Sequence, residues 1–271
     1  MSDALDRSRL RAYTNARVAL RSAGTSLATS EVLDMALCLA EARDAVHAEL
    51  STITLLRELG ALGLQVFSVK SAAGGRGEYL RRPDLGRRLS AASRATLEQS
   101  GGPTLTNFSS HPLNPSRLVI VVADGLSAIA ADRHAVPVLD ALLSRPTQGQ
   151  HRALNGAPNA LASWQIGPVV VAEQARVAIG DEIGEVLGAS ATLLLIGERP
   201  GLSAPDSLGA YITWAPRVGR SDAERNCVSN IRPEGLGYDL AARKIAGYLN
   251  QARRLGLTGV ALKEESGRLE D

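Results

Sequence analysis

Leu118-Val119-Ile120-Val121-Val122-Ala123 is an unbroken apolar run, and Asp124-Gly125 closes it. A strand with one face in water alternates apolar and polar residues. A continuous run rich in β-branched side chains instead predicts a strand covered on both faces, as in a parallel sheet. Ser127 is placed to cap a helix reaching about Leu143. Outward from there, Gly167 to Ala172 reads as the next strand, and Asp181 to Leu187 as a helix ended by Gly188. Ala191 to Ile196 reads as a third strand, leading into Gly197-Glu198-Arg199-Pro200-Gly201. A strand over 209–214 and a helix over 239–255 continue the pattern. Strands alternating with helices imply right-handed crossovers and an α/β class, a Rossmann-like, mostly parallel sheet.

Upstream of the run, the apolar spacing of Val32, Leu33, Met35, Ala36, Leu39, Ala40 and Val46 predicts a helix capped by Thr29 or Ser30 and running to about Glu49. A second helix is expected over 52–62, and Gln65 to Lys70 alternates like a strand. Ser71 to Gly77 reads as a turn, and Pro83 suits the first position of a helix to about Gln99. Residues 100–116 break the composition with Pro, Gly and Ser. The expected organisation is a helix-rich N-terminal region over 1–105 and a Rossmann-like domain over 106–271. A long polar loop is expected over 145–165.

The chain has 271 residues, 45% of them hydrophobic and 21% charged, with a formal net charge of +2. This composition supports a sizeable core and excludes a mainly disordered chain. The near-zero net charge excludes a protein that coats DNA, so no nucleic-acid partner is expected. Nine aromatic residues are too few for a platform that stacks bases. No apolar run approaches the ~18 residues of a membrane helix, so no membrane partner is expected either. The first residues also lack the apolar core of a signal peptide. Basic residues are lopsided, 27 Arg to 3 Lys. Codon bias in a GC-rich genome accounts for that, and so does a need for planar donors to phosphates, carboxylates and amides. Cys38 and Cys227 have no metal-ligand spacing and read as reduced thiols.

In an open α/β sheet, ligands sit beyond the carboxyl ends of the strands. That rule selects Asp124 to Ser127, Glu173 to Val177 and Glu198 to Gly201. Pro200 fixes its own φ and biases Arg199 toward extended geometry, so the third loop is stiff. It reads either as a binding loop or as a tight turn around a local Glu198–Arg199 pair. Asp124 reads either as a ligand group or as a turn and capping residue. Dinucleotide, P-loop, zinc-protease and nucleophile-elbow patterns are absent. His47, His111, His134 and His151 have no metal-like spacing. Asp132-Arg133-His134 has Pro137 where a cobalt-ligating Asp-x-His-x-x-Gly motif requires Gly. Asp181 and Glu185 read as a solvated face near a helix N-terminus. These residues describe a binding domain with stiff loops and no base–nucleophile pair.

Leu118 to Ser127, Ala175 to Gly188 and Ile196-Gly-Glu-Arg-Pro-Gly-Leu202 together resemble the small subunit of adenosylcobalamin-dependent ethanolamine ammonia-lyase. Asp206-Ser-Leu208, Ala215-Pro-Arg217, Asn226-Cys-Val-Ser-Asn-Ile231 and Tyr79 to Leu89 match in order, so the resemblance covers roughly residues 8–262. It implies a carbon–nitrogen lyase that converts ethanolamine to acetaldehyde and ammonia by a radical route. It implies a hetero-oligomer with a large (β/α)8-barrel subunit that carries the substrate site. The cobalamin would be held between the two subunits, base-on, with no cobalt ligand and no catalytic residue from this chain. The family's cobalamin contacts map onto Val177, Glu198 and Cys227. Glu198 can accept from cofactor amides, Val177 offers apolar contact, and Cys227 is small enough for close approach. Arg199, Arg217 and the Arg81/Arg82/Arg87/Arg88 cluster are candidates for contacts to the partner or the cofactor edge. The resemblance implies a bacterial microcompartment or the cytoplasm as location. The competing reading is a non-catalytic scaffold or regulatory module for another nucleotide.

Overall fold

The computed structural model describes residues 20–100, 116–143 and 161–262, together with short stretches between 10 and 18. The elements are β1 (Ser22–Ala23), β2 (Ser26–Leu27), α1 (Thr29–His47), α2 (Thr52–Ala61), β3 (Val66–Lys70), α3 (Arg76–Arg81) and α4 (Ala91–Ser100). They continue with β4 (Ser116–Ala123), α5 (Ala128–Leu143), β5 (Trp164–Glu173), α6 (Ile179–Val186), β6 (Ala191–Gly197), β7 (Leu208–Trp214), β8 (Arg225–Ile231) and α7 (Tyr238–Leu255). The described chain is mixed α/β. A six-stranded sheet runs in the order β3-β5-β4-β6-β7-β8, and β1 and β2 form a separate two-stranded ladder. The first four strands of the large sheet pair in parallel, whereas β7 is antiparallel to both of its neighbours.

The apolar run occupies the middle of the sheet for a visible reason. Leu118 to Ala123 are all fully buried. Leu118, Ile120 and Val122 point into one core with α2, α5 and α7. Val119, Val121 and Ala123 point into a second core with α4 and α6. The period-2 geometry of a strand serves two hydrophobic layers at once, so neither set can be polar. At the carboxyl end of the chain, α7 buries Ala241, Ala242, Ile245, Ala246, Leu249 and Ala252 along one stripe. It ends at Gly256, whose left-handed backbone (φ +68°) donates its N–H to the Ala252 carbonyl.

Several local expectations need correction. Thr29 and Ser30 do not cap α1, whose N-cap is Ala28 without a side-chain hydrogen bond. Ser127 does not cap α5 through its hydroxyl, because that hydroxyl donates to the Pro205 carbonyl at 2.8 Å. Pro83 opens no long helix. α3 already begins at Arg76, residues Leu85–Arg87 make a single 3-10 turn, and α4 waits until Ala91. The interruption is tertiary. Leu89 bridges to Ser71, Ser90 donates its N–H to the Lys70 carbonyl, and the Leu89 N–H is held by Glu182. The strand over 209–214 is present, but it reverses direction within the sheet. β8 was not foreseen, because Arg225-Asn-Cys-Val-Ser-Asn-Ile is too polar to read as a strand. The expected boundary at 105/106 and residues 145–160 of the expected 145–165 loop lie outside the described residues, and the end of that loop is corrected, because β5 already begins at Trp164. β3, from the first segment, forms the edge of the sheet beside β5. Among the described residues no helix is long and apolar enough to cross a membrane.

Candidate ligand-binding face

The loops at the carboxyl ends of β4, β5 and β6 form one rigid platform. Asp124, 2% exposed, accepts the backbone N–H groups of Gln174 (2.8 Å) and Ala175 (2.9 Å) and the Arg76 guanidinium (3.2 Å). Burial outweighs these donors and pushes its carboxyl up to about 6. Asp124 is therefore a tie between strand ends, and its oxygens face the protein. Gly125 has φ +55°, and a Cβ on it would lie 2.1 Å from the Gly197 carbonyl oxygen. A Cβ on Gly197 would lie 1.9 Å from the Ser127 carbonyl oxygen. The backbones after β4 and β6 thus touch, with Leu126 N–H donating to Gly197 (3.0 Å). Gly197→Ala is expected to cost at least about 2 kcal/mol through overpacking against backbone, readable as a lowered urea midpoint with unchanged m.

Glu198 leaves this platform half-buried. Its carboxylate accepts the Ser207 hydroxyl and, at 3.2 Å, the Asn230 N–H. No Glu198–Arg199 ion pair forms among the described residues, and Arg199 is exposed. The loop is closed by backbone bonds instead: Glu198 N–H to Ser207 (2.9 Å), and Gly201 and Ala204 to each other. Gly209 is buried against Glu198 and Tyr211, where a Cβ would be crowded 3.1 Å from the carboxylate and 3.3 Å from the ring.

Cys227 lies on β8, exposed, directly opposite Tyr211 of β7, with its sulfur 3.5 Å from the Ser229 hydroxyl. Desolvation, with the Glu198 charge adding, raises its thiol pKa, so the sulfur stays protonated at neutral pH. The Tyr211 hydroxyl is likewise pushed up, first by burial and then by its neighbours Cys227 and Glu198. Tyr211 packs at the margin of the core beneath α6, whereas Cys227 and Ser229 are exposed. On the α6 side, then, the β7–β8 end of the sheet is open. Glu198, Tyr211 and Cys227 mark that open face. Neither Tyr211 nor Ser207 was singled out from sequence. Tyr211 stands two residues after Gly209, so the period-2 rule would have found it once Cys227 was assigned to a strand.

Val177 is at the other end. It follows β5, packs half-buried against the second core, and lines a cavity of about 830 Å³ that runs beside α6. Val177 follows β5 and Cys227 lies on β8, with three strands between them in the sheet order, and α6 reaches from beside Val177 to β8, where Asp181 meets Arg225. Glu198, at the end of β6, lies between them. Asp181 also lines the cavity, and the expectation of a solvated acidic face fails for it: Asp181 is 1% exposed and grips Arg225 through two guanidinium nitrogens. Only Glu185 of that pair is exposed, accepting from Val218 N–H at 3.0 Å. His134 is a buried core residue rather than a satisfied one, with Nδ1 2.9 Å from the Tyr238 hydroxyl and Nε2 buried 3.5 Å from the Asp206 carboxylate without a hydrogen bond among the described residues.

These features define a mixed α/β protein with no assembled acid–base or nucleophilic machinery among the described residues. The family model of the ethanolamine ammonia-lyase light chain (EutC) matches residues 5–263. The ethanolamine ammonia-lyase small subunit of Bradyrhizobium diazoefficiens is 51% identical over 257 residues, covering 95% of this chain and 90% of the relative. That of Azotobacter vinelandii is 48% identical over 263 residues, covering 95% and 87%. That of Pseudomonas syringae pv. tomato is 45% identical over 257 residues, covering 95% and 82%. The chain belongs to the ethanolamine ammonia-lyase small-subunit family, which sets aside an unrelated scaffold or regulatory module.

Proposed function

We propose that this chain is the small subunit of an ethanolamine ammonia-lyase and supplies one wall of an adenosylcobalamin site shared with a large subunit. The complex would convert ethanolamine to acetaldehyde and ammonia, in a microcompartment or in the cytoplasm. The observation that carries the reading is the buried, unpaired Nε of Arg176 beside Val177, on a face where Glu198 follows β6 and Cys227 stands on β8. A ligand that met all three would have to bridge three separate segments, as a group with the breadth of a cobalamin can. The residues present suit that group. Glu198 offers carboxylate oxygen, Cys227 and Ser229 are small and leave the face open, and the buried Nε of Arg176, next to Val177, has no acceptor among the described residues.

When bound, the cofactor supplies the radical through its weak cobalt–carbon bond, chemistry that side chains do not provide. The work of this chain is positioning. The Asp124 tie and the Gly125–Gly197 contact fix the loops from which Val177 and Glu198 project. Glu198, already oriented by Ser207 and Asn230, accepts from amide N–H groups on the cofactor edge without a further loss of rotamer freedom. Covering one side of the cofactor would also keep water from it.

Glu198→Ala is expected to weaken adenosylcobalamin binding by about tenfold in the reconstituted complex, the worth of one charge-assisted hydrogen bond. Absorption titration measures it. Unchanged affinity removes Glu198 from the site.

A further inference from the structure

The cavity beside α6 is lined by more cations than its acids neutralise. Its acidic residues are Asp181, Glu182 and Asp222. Arg225 engages Asp181 and lies 3.5 Å from Asp222, while Arg94 engages Glu182 at 2.9 Å. Arg87, Arg88 and Arg176 also line the cavity, and none of them has a salt-bridge partner among the described residues.

Arg176 is the most organised of the three. Its guanidinium stacks on the Tyr79 ring at 4.3 Å, and its backbone N–H is pinned to the Gly86 carbonyl at 2.8 Å. Gly86 is itself packed so closely that a Cβ there would fall 2.9 Å from the Arg176 side chain. Tyr79 is held in turn by its hydroxyl bond to the Ala175 carbonyl at 3.0 Å. The Nε of Arg176 is nevertheless buried without an acceptor among the described residues. A buried donor left unpaired is costly, and a guanidinium held flat by stacking is preorganised for an anion with several oxygens. Neither Arg199 nor Arg217 lines this cavity.

We propose that the cavity beside α6 is a phosphate site, with Arg176 at its centre and Arg87 and Arg88 at its rim, and that it receives the phosphodiester of the cobalamin nucleotide loop. This rests on the cobalamin reading above. The phosphodiester is the one anionic group of that cofactor, and Val177 places the cavity next to a matched cofactor contact. A guanidinium meets phosphate oxygens through paired N–H donors, which an ammonium cannot reproduce.

The test uses the complex of this chain with its large subunit and two ligands: adenosylcobalamin, and adenosylcobinamide, which has the same corrin but no nucleotide loop or phosphate. Arg176→Gln is expected to weaken adenosylcobalamin about ten- to a hundredfold and to leave adenosylcobinamide unchanged. The double variant Arg87→Gln/Arg88→Gln, at exposed positions, is expected to show the same selectivity with a smaller loss. Equal affinity of wild type and both variants for adenosylcobalamin overturns the proposal. So does an equal loss for both ligands, which would report misfolding or a corrin contact. Weakened subunit assembly with unchanged cofactor affinity would assign the arginines to docking, and also overturns it. Loss of inorganic phosphate binding alone, with cobalamin affinity kept, would mean a free phosphate site and overturns the cofactor assignment. If the wild-type complex binds neither corrin ligand, it is the cobalamin reading itself that falls.

Discussion

Asp124→Ala is expected to destabilise the chain by about 3–5 kcal/mol, among the largest effects of any single substitution here. The change leaves two backbone N–H groups, those of Gln174 and Ala175, buried without acceptors and strips Arg76 of its carboxylate. Arg76 is only 11% exposed and keeps the Val46 and Gly125 carbonyls, so its charge stays inside. Equilibrium denaturation measures the loss, and a cost below about 1 kcal/mol would mean that the strand ends are held by something else. The carboxyl also carries a pH signature. Its folded pKa, about 6, lies above its ordinary value of 3.8. The folded state therefore binds the proton more tightly, and the contribution is fully present below pH ~4 and lost as pH rises through ~6. The stability difference between wild type and Asp124→Asn should fall across that window and be flat above it.

Arg225→Ala is the second large effect, again about 3–5 kcal/mol, because it leaves the Asp181 carboxylate buried and unpaired. Both side chains are 2% exposed, so solvent does not rescue the charge. Replacing both partners with apolar residues of similar volume, Arg225→Met with Asp181→Leu, should recover most of the loss. A double variant no better than the single would show that the Arg225 bonds to Thr213 and the Arg220 carbonyl matter more than the pair.

The parallel half of the sheet was legible because Leu118–Ala123, Gly167–Ala172 and Ala191–Ile196 each bury both faces, and that requirement is written directly as apolar composition. β8 was not legible. Its outward positions Cys227 and Ser229 face an open surface, so no alternation toward a second core marks them. The reversal at β7 was equally hidden, since a buried strand reads alike in either direction. Pro83 misled because its fixed φ suits a helix start, while three tertiary hydrogen bonds and bridges at Ser71, Leu89 and Ser90 decided otherwise. For the site, the strand-end rule found the loops carrying Val177 and Glu198. The choice of Val177, Glu198 and Cys227 came from the family resemblance. Arg176 required the structure, because its stacking on Tyr79 joins segments about a hundred residues apart in sequence.

The central claim is that this chain forms part of the cobalamin site. The direct measurement is an adenosylcobalamin titration of the large subunit alone, of this chain alone, and of the two together. Tight binding only by the complex, weakened by Glu198→Ala, is the predicted result. Full affinity in the large subunit alone, unchanged when this chain is added, would contradict it.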